Sequence, residues 1–442
     1  MIDEKIRKIV YWTLDLLKGR KIRKEYLDIK EIMEKKEQNV EALENILQYC
    51  TENIPFYKNI NPESIYNFPV MNKVIYNENK VGLENKLYKD KKLHTVLTSG
   101  STGTPFKAIQ NSKKRNRTVA ALLYFHNKVG FGLGKKYIFL RALSDFNKTS
   151  KLKCFMQNYK PFQIVGMDKN RLEKLEKILS KNKIKVMLGY GSTLKEVADF
   201  LYDNGKEYKL DVILSGGDNL TNETKEKLKK IFKCPVINRY SNEENGMMAT
   251  TLPNDDRFIL NTANYYFELL KLDSDEPVKS GEIGRIVLTD LYNYAMPLIR
   301  WDTGDLGISD DLDMKDLKTL KSLEGRNCDM LEDENGNRLS LVTINLFVHD
   351  FFDVKKFQFI QDDEKILFRV VPRANEGIIN ASEQDRYIKE LKNILGESTK
   401  IEIQIVDDIL PEENGKFKPI INRRKNNNGK KGSICSYSDR TY

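Results

Sequence analysis

Between residues 94 and 291, short apolar runs alternate with charged, helix-like segments, and this alternation constrains the fold more than any other feature of the sequence. Five runs of strand length occur there, at residues 94–98, 137–140, 184–188, 212–214 and 236–240. The amphipathic segments that separate the last three runs are residues 193–203 and 222–230. Because parallel neighbours need a crossover that is usually a helix, this order predicts an α/β fold with a largely parallel sheet covered by helices.

The segments on either side of this region predict the rest of the organisation. Apolar residues at helical spacing, such as Ala42, Leu43 and Ile46, predict helices up to Pro55. Residues 257–291 are rich in strand formers and turns, which predicts antiparallel strands or a small barrel. A strand–strand–helix–strand order over residues 356–406 predicts a small α+β domain.

We therefore expect two domains and a tail. The large N-terminal domain spans residues 1–325, with parallel sheets and helices and a helical segment over residues 1–55. The small, mobile α+β domain spans residues 326–425. Residues 426–442 are predicted to be a disordered basic tail.

The composition is that of a folded protein. Of the 442 residues, 40% are hydrophobic and 31% charged, which suffices for a packed core and a solvated surface. No run reaches the ~18 uncharged apolar residues of a spanning helix, and Asp15 makes the apolar stretch 9–17 an amphipathic helix rather than a signal peptide. The five cysteines and three histidines lack the spacing of a disulfide framework or a zinc site. We expect a soluble, cytoplasmic protein.

The net charge of +10 raises the question of an acidic partner. The last twenty residues hold six basic residues and one acidic residue, so half of the excess lies in the tail. Elsewhere the two signs are interspersed, which argues against nucleic acid as a partner. A frayed polar terminus is the favoured interpretation of the tail, with peripheral contact to an acidic membrane surface or nucleic acid as the alternatives.

A loop rich in glycine and hydroxyl residues follows the first apolar run. Residues 98–107 contain five hydroxyl residues, Gly100, Gly103 and Lys107. Glycines let backbone N–H groups approach an anion, and a lysine adds a point charge, so the loop suits a polyphosphate. The sequence has no Walker A motif. An ordinary polar turn fits the composition equally well.

Three further segments carry polar groups at turns. Glu243 and Glu244 follow the run 236–240, where ligands of parallel sheets bind, and a carboxylate there can hold Mg²⁺. Asp305 lies in a glycine turn and can accept a hydrogen bond from a ribose hydroxyl. Lys416 lies in a second glycine turn. Each of these segments alone fits a loop cap, a β-turn or a hairpin tip.

Taken in order, the four segments resemble the ANL superfamily of adenylate-forming enzymes, within it the phenylacetate–CoA ligase-like branch, and closest the capsular polysaccharide biosynthesis (CapK-like) proteins. The resemblance covers residues 1 to about 425, and residues 17–20, 52–57 and 68–73 look specifically CapK-like.

The resemblance implies a role for each matching residue. Tyr240 corresponds to the aromatic residue that stacks on adenine, Glu244 to the catalytic acid that holds Mg²⁺, and Lys416 to the catalytic lysine of adenylation. The adenine and ribose pocket further corresponds to Gly216, Gly217, Asp218, Asp305 and Arg326. The loop that grips the ATP phosphates corresponds to Thr98, Ser99, Gly100, Ser101, Thr102, Gly103, Thr104 and Lys107. The acid pocket corresponds to residues 140–143, 190–193 and 238–241.

The sequence departs from the family pattern at three places, and one of them is the segment 332–337, which is more acidic than the family's usual glycine-containing segment. Cys328 replaces the first aspartate of the Gly-Arg-x-Asp-Asp junction, so the hinge is assigned to Cys328 and Asp329 together. Glu243 stands where a hydroxyl residue normally precedes the acid.

The function implied by the resemblance is ATP-dependent activation of a small carboxylic acid as an acyl-adenylate, with transfer of the acyl group to coenzyme A in cell-surface polysaccharide biosynthesis. Transfer to a sugar, an amine or a carrier protein, or adenylyl transfer to a cofactor, is the first alternative. The second is an inactive scaffold of the same fold, favoured by Glu243 and Cys328. A nucleic-acid-binding protein that uses the basic tail is the third.

Overall fold

The computed structural model describes residues 3–35, 38–97, 106–143, 150–165, 167–218, 220–326, 330–339, 344, 347–348, 352, 354–372, 380–410 and 417–424. The chain forms two compact units. The first unit runs to Ser322 and the second begins at Leu323, with the short stretch Gly304–Gly307 counted in the second.

Helices form the N-terminal part of the first unit, as the sequence predicts. Their bounds are α1 (Glu4–Leu17), α2 (Lys21–Lys35), α3 (Val40–Asn53), α4 (Lys73–Glu78) and α5 (Lys80–Leu83). Side chains cap several of them, because the first N–H groups of a helix have no partner within it. Asn39 caps α3, and the Oδ1 of Asn72 accepts from Val74 N and Ile75 N, both at 2.9 Å, at the start of α4.

A mixed eight-stranded sheet forms the centre of the first unit. Its strands are β3 (Tyr137–Arg141), β4 (Tyr159–Gln163), β5 (Val186–Gly189), β6 (Val212–Gly216), β7 (Val236–Asn242), β8 (Gly246–Leu252), β9 (Asp255–Leu260) and β13 (Thr319–Leu320). The strand order is β13-β9-β8-β7-β6-β5-β3-β4. Strands β3 to β7 pair in parallel, whereas β7, β8, β9 and β13 pair antiparallel. The parallel part confirms the predicted α/β class.

Helices cover both faces of the parallel strands because alternate residues of a buried strand point to opposite sides. The helices that follow are α6 (Ser112–Lys128), α7 (Lys151–Met156), α8 (Lys169–Lys181), α9 (Gly191–Asp203) and α10 (Asn222–Phe232). On one face, Met187 and Ile213 pack with Leu175, Leu194 and Leu228 of α8, α9 and α10. On the other face, strand residues pack with Val129, at the end of α6: Val186, Leu188, Val212, Leu214 and Ile237.

Two strands differ from expectation. The run 94–98 was expected in the parallel sheet, but β1 (His94–Leu97) pairs antiparallel with β2 (Lys107–Gln110) in a separate two-stranded sheet. Residues 98–106, which connect these two strands in the sequence, are too few for the crossover that parallel neighbours need, so the strands pair antiparallel. Strand β4 was not predicted, because it contains Pro161 and is only half-buried. It lies at an edge of the sheet, where proline is tolerated.

A second sheet of the first unit contains β10 (Tyr265–Leu270), β11 (Ile283–Asp290) and β12 (Trp301–Ile308), with β10 and β11 antiparallel. The strand β14 (Ser322–Arg326) follows. The antiparallel strands predicted within residues 257–291 are confirmed, although β9 joins the large sheet and not this one.

The second unit has the predicted strand–strand–helix–strand order. Its elements are β15 (Leu331–Glu332), β16 (Arg338–Leu339), β17 (Val354–Gln361), β18 (Ile366–Pro372), α11 (Ala381–Leu395), β19 (Ile401–Ile405) and β20 (Ile420–Asn422). Four of them form a sheet in the order β19-β18-β17-β20. Phe359 and Phe368 stack at 4.3 Å between ring centroids in a core shared with Tyr387 and Leu391 of α11. Within the described part of the chain, no helix is long and apolar enough to cross a membrane.

A buried ion pair connects α6 to the end of β11. The Nζ of Lys114 lies 2.5 Å from Oδ2 of Asp290, and both side chains are inaccessible to solvent. Lys114 also donates to the hydroxyl of Tyr265 at 2.8 Å. Burial opposes the charge on Lys114, but Asp290 and Tyr265 offset it and raise the pKa of Lys114. The amine therefore stays charged at neutral pH.

We expect Asp290→Asn to lower the free energy of unfolding by about 3–5 kcal/mol, because it leaves the Lys114 charge buried without a counter-charge. Chemical denaturation followed by circular dichroism measures the loss. Replacing both partners, as in Lys114→Met with Asp290→Leu, removes the stranded charge and should cost less. The control is Lys271→Met, which removes an exposed pair with Glu276 and should leave unfolding unchanged. Equal stability of Asp290→Asn and the wild type would contradict this account.

Candidate functional site

Several predicted site residues lie outside the described residues. These are Thr98, Ser99, Gly100, Ser101, Thr102, Gly103, Thr104, Cys328, Asp329 and Lys416. The backbone on either side of the predicted phosphate loop is described, and Leu97 of β1 pairs with Lys107 of β2. The two ends of the loop therefore lie side by side, and the side chain of Lys107 is exposed. Arg326 ends β14, and its backbone alone is described.

Glu244 lies in the turn between β7 and β8, at the carboxyl end of a parallel strand. Its side chain is almost inaccessible, and Oε1 lies 3.1 Å from the Nζ of Lys73. The turn is held through its backbone. Gln110 donates from Nε2 to the carbonyl of Glu244 at 3.1 Å, and the hydroxyl of Tyr265 donates to the carbonyl of Asn245. Glu244 is therefore a buried carboxylate in a fixed turn, and it is paired with the ammonium of Lys73.

Lys73 was not among the predicted site residues. It begins α4, and its Nζ also lies 5.8 Å from the centroid of the Phe106 ring, next to the predicted phosphate loop. The sequence carries no local signal for this role, because Lys73 and Glu244 are far apart in the chain. Asn72 is a recognisable cap and indicates where α4 begins. It does not indicate which residue the side chain of Lys73 contacts.

A second buried ion pair holds the segment that leads to Lys73. Arg300 donates from Nη2 and Nε to Glu268, at 2.8 and 3.1 Å, and from Nη1 to the carbonyl of Phe68 at 3.0 Å. The backbone of Met71 bonds on both sides with β12: its N–H donates to Arg300 O and its carbonyl accepts from Asp302 N, both at 2.8 Å. These contacts fix the position from which Lys73 reaches Glu244.

Tyr240 and Asp305 were both predicted to bind the nucleoside. Tyr240 is buried, and its hydroxyl donates to Oγ1 of Thr303 at 3.2 Å, whereas Thr303 donates to the carbonyl of Ile286 at 2.8 Å. Asp305 is half-buried in β12 and belongs to the second unit. The neighbouring acid Asp302 forms an ion pair with Arg285 at 2.6 Å.

Asp218, predicted in the adenine pocket, caps α9. Its carboxylate accepts from the N–H groups of Gly191 and Ser192 and, at 2.5 Å, from the hydroxyl of Ser192. Because the cap satisfies the first N–H groups of α9 from a separate strand end, it ties the carboxyl ends of β5 and β6 together. Gly217, with a φ of +94°, makes the turn after β6 that brings Asp218 into place.

Arg239 is a cation without an acidic partner among the described residues. It follows Ile237 by two positions and so lies on the same face of the sheet, opposite Gly216 of β6. Its Nε is buried without a hydrogen-bond acceptor, and Nη1 lies 3.3 Å from Nε2 of His126 on α6. Burial lowers the pKa of Arg239 to about 10, a cost of desolvation that no carboxylate of the described residues offsets.

His126 is the neutral partner of Arg239. Burial and the neighbouring charge of Arg239 lower the pKa of His126 well below 6.5. Since a guanidinium has donors alone, Nε2 of His126 must accept and Nδ1 must carry the proton. The imidazole also stacks on Phe131, with ring centroids 4.6 Å apart. Both residues lie within or beside the strand ends that the resemblance assigns to the acid pocket.

The residues present fit a magnesium ion bound to nucleotide phosphates. Mg²⁺ is typically held by one or two carboxylates plus substrate phosphates, and Glu244 is a fixed carboxylate at a strand end where ligands bind. Lys73 offers a cation at the same oxygen, and its side chain is partly exposed and long enough to move aside. No group of three or more potential metal ligands occurs among the residues that the structure describes.

Comparison with known families gives two matches. The model described as AMP-binding enzyme matches residues 30–291, and the model described as CapK C-terminal domain matches residues 331–423. The first match includes Lys73, Asp218, Arg239 and Glu244, the second covers most of the second unit, and Arg300, Thr303 and Asp305 lie between the two.

Individual relatives and structures point the same way. Protein CapK of Staphylococcus aureus is 27% identical over 416 residues, covering 87% of this chain and 88% of that protein. A 2-hydroxyisobutyryl-CoA ligase in complex with an acyl-AMP superposes with a TM-score of 0.67 at 16% identity, covering 86% and 88% of the two chains. An ATP-bound MatB from Rhodopseudomonas palustris gives a TM-score of 0.53 at 14% identity, with 73% and 66% covered. At these identities the structures show a shared fold.

We expect the stability of the chain to fall as pH drops below 6.5, in part because His126 must take up a proton on unfolding. The pKa of His126 is depressed in the folded state, so its contribution is fully present above the unfolded pKa and is lost as pH falls towards the folded value. His126→Gln keeps an acceptor for Arg239 but does not titrate, so it should flatten this part of the pH profile. Urea unfolding at a series of pH values measures the slope. An unchanged slope in the variant would show that His126 does not contribute.

Proposed function

Since the chain belongs to the AMP-binding enzyme family, over residues 30–291, and is an adenylate-forming ligase, we propose that it activates a small carboxylic acid with ATP and transfers the acyl group to coenzyme A. In the first step a carboxylate oxygen attacks the α-phosphorus, the bond to pyrophosphate breaks, and acyl-AMP forms. In the second step the thiol of coenzyme A loses its proton to solvent, its sulfur attacks the acyl carbon, and AMP leaves with the bonding electron pair.

The observation that carries the proposal is the placement of Glu244. It is a buried carboxylate, fixed through the carbonyls of its own turn, at the carboxyl end of a parallel strand. A group held this rigidly does not have to reorganise when charge develops, which is how preorganised sites lower a barrier. Glu244 would hold the magnesium ion, which supplies positive charge to the phosphates.

Lys73 has a separate part in this proposal. Its ammonium balances Glu244 and lies beside Phe106 at the exit of the predicted phosphate loop. With the carboxylate of Glu244 holding the metal, Lys73 would be available to the phosphate oxygens, as would the exposed Lys107. Positive charge is then supplied from two segments of the chain.

Arg239 bears on the choice of acid. A half-buried guanidinium with an unsatisfied Nε favours a ligand that brings an anionic or hydrogen-bond-accepting group. Gly216 places no side chain beside it, and a Cβ there would lie 3.5 Å from Nη2 of Arg239, in ordinary contact. Alternation along β7 directs Arg239 and Tyr240 to opposite faces of the strand. A compact, polar acid on the Arg239 face therefore suits the site better than a long acyl chain.

The C-terminal region serves both half-reactions in this proposal. We propose that Lys416 reaches the acyl carboxylate and α-phosphate during adenylation, and that Cys328 and Asp329 form the hinge between residues 1–325 and 326–425. Hinges of a few residues commonly allow one domain to serve two steps. The CoA ligases among the structural neighbours support coenzyme A as the acceptor. The CapK C-terminal domain match supports a setting in cell-surface polysaccharide synthesis.

Acid-dependent exchange of labelled pyrophosphate into ATP tests the function. Acids are screened in matched pairs that differ by a second carboxylate or a hydroxyl, and the best acid is then assayed for product with and without coenzyme A. Exchange that does not require coenzyme A, followed by a thioester when it is added, supports both steps. Exchange without a thioester would indicate that the acyl acceptor is not coenzyme A. No exchange with any acid would favour the inactive scaffold.

We expect Glu244→Gln to lower pyrophosphate exchange by roughly a hundredfold or more, because it removes the carboxylate that completes the metal site. The amide keeps the shape of the side chain, so the fold should be retained in circular dichroism. The neighbouring Glu243→Gln is the matched control, since its side chain is exposed and should matter little. Pyrophosphate exchange at the wild-type rate by Glu244→Gln would show that a group other than Glu244 holds the metal.

We expect Lys416→Ala to abolish acyl-adenylate formation yet retain the reaction of a supplied acyl-adenylate with coenzyme A, because the lysine charge is needed when the α-phosphate is attacked. Single-turnover assays of each half-reaction separate the two steps. Lys418→Ala is the control, because Lys418 is fixed through its backbone carbonyl, which accepts from Gln358 at 2.9 Å. An inactive Lys418→Ala beside an active Lys416→Ala would assign the role to Lys418.

A further inference from the structure

Helix α1 turns its apolar side chains outward. Successive residues of a helix are offset by about 100°, so six apolar residues of α1 share one broad side. Their exposed fractions range from 39% to 78%: Ile6, Ile9, Val10, Leu14, Leu16 and Leu17. The opposite side carries Tyr11, Trp12 and Asp15, and Asp15 is buried. We call the six outward residues the α1 apolar face. A surface helix normally has the reverse arrangement.

Polar contacts fix α1 in this orientation. The carboxylate of Asp15 accepts from the N–H groups of Ile22 and Arg23, at 3.0 and 2.9 Å, and so caps the first turn of α2. Glu4 pairs with Lys185 at 2.8 Å, and Arg7 donates to the carbonyl of Met156 at 3.1 Å. Rotating α1 to bury its apolar face would break all of these contacts. The outward apolar face is therefore a defined feature of the folded chain.

Helix α7 extends the same surface. Arg7 connects the two helices, since its guanidinium lies 5.0 Å from the ring centroid of Phe155. The apolar side chains of α7 are also exposed, by 69% for Leu152, 57% for Phe155 and 54% for Met156. Monomeric proteins rarely expose contiguous apolar surface on this scale without an interaction partner.

The charges around this surface indicate that its partner is anionic. Exposed basic residues flank α1 and continue into α2: Lys5, Lys8, Lys18, Arg20, Lys21, Arg23 and Lys24. The acids nearby are engaged, because Asp15 caps α2 and Glu4 pairs with Lys185. An apolar stripe with a basic border has the chemistry of helices that lie in the boundary of an anionic membrane. A second copy of the chain would place two basic borders against each other, which is unfavourable.

We propose that the α1 apolar face and α7 dock on the surface of an anionic lipid bilayer. Ile9, Leu17 and their neighbours enter the boundary between headgroups and acyl chains, and the basic residues contact lipid phosphates. The enzyme is then held at a membrane by this surface. This inference is independent of the chemistry proposed above, because none of these residues belongs to the site.

Co-sedimentation of the full-length protein with lipid vesicles tests the proposal. One set of vesicles is phosphatidylcholine alone, and the other is phosphatidylcholine mixed with phosphatidylglycerol. We expect binding to the mixed vesicles, little binding to phosphatidylcholine alone, and weakening as salt is raised. Failure of the wild type to bind the mixed vesicles would overturn the proposal.

Three variants locate the contact. Ile9→Asp with Leu17→Asp should weaken binding more than about tenfold, since it places charge in the apolar boundary. Lys18→Gln with Lys21→Gln should weaken binding roughly twenty-five-fold, at about fivefold for each charge near an anionic surface. Leu312→Asp is the control, because Leu312 is 97% exposed outside this surface, and it should bind like the wild type.

Circular dichroism and the thermal midpoint show whether each variant is folded, and the lysine variant keeps the test valid if the aspartate variant is not. Wild-type binding by both double variants would overturn the proposal and assign vesicle binding to another segment, such as the basic tail. A wild-type dimer in light scattering that becomes a monomer in Ile9→Asp with Leu17→Asp would also overturn it, because a second copy would then cover the face.

Discussion

The ion pair between Lys114 and Asp290 is the constraint on which the first unit and its site depend. Both groups are buried, so neither can be removed alone without leaving a charge in a medium that cannot solvate it. Through the hydroxyl of Tyr265, the same lysine is linked to the carbonyl of Asn245, next to Glu244. Helix α6, strand β11 and the turn after β7 are thereby fixed to one another.

Two further buried cations extend this frame. In α6, Nη1 of Arg117 donates to Oε2 of Glu25 in α2 at 3.0 Å, and its Nε donates to Oδ1 of Asn264 at 2.7 Å. These two hydrogen bonds attach the N-terminal helices to the sheets. Arg300 and Glu268 hold the segment that ends at Lys73. Glu244 and Lys73 thus meet because separate networks position each of them. The site is assembled by long-range polar contacts, whereas the apolar packing supplies the sheet on which it stands.

This division explains how much the sequence could predict. Local periodicity predicts strands β3, β5, β6 and β7, helices α9 and α10 and the order of the second unit, and the structure contains them. The position of Glu244 after β7 also follows from the order of elements. The pairing of β1 with β2, and of Lys73 with Glu244, joins segments that carry no mutual signal. Arg239 carries no sequence signal either, since its significance lies in a buried Nε for which the described residues offer no acceptor.

The central claim is that a carboxylate attacks the α-phosphorus of ATP, and the fate of the acid's oxygen tests it most directly. The acid that best supports pyrophosphate exchange is labelled with ¹⁸O in its carboxylate, and the nucleotide product of complete turnover is analysed by mass spectrometry. Attack at the α-phosphorus predicts one labelled oxygen in AMP and none in pyrophosphate. Label in inorganic phosphate with ADP as the nucleotide product, or AMP without label, would contradict the account.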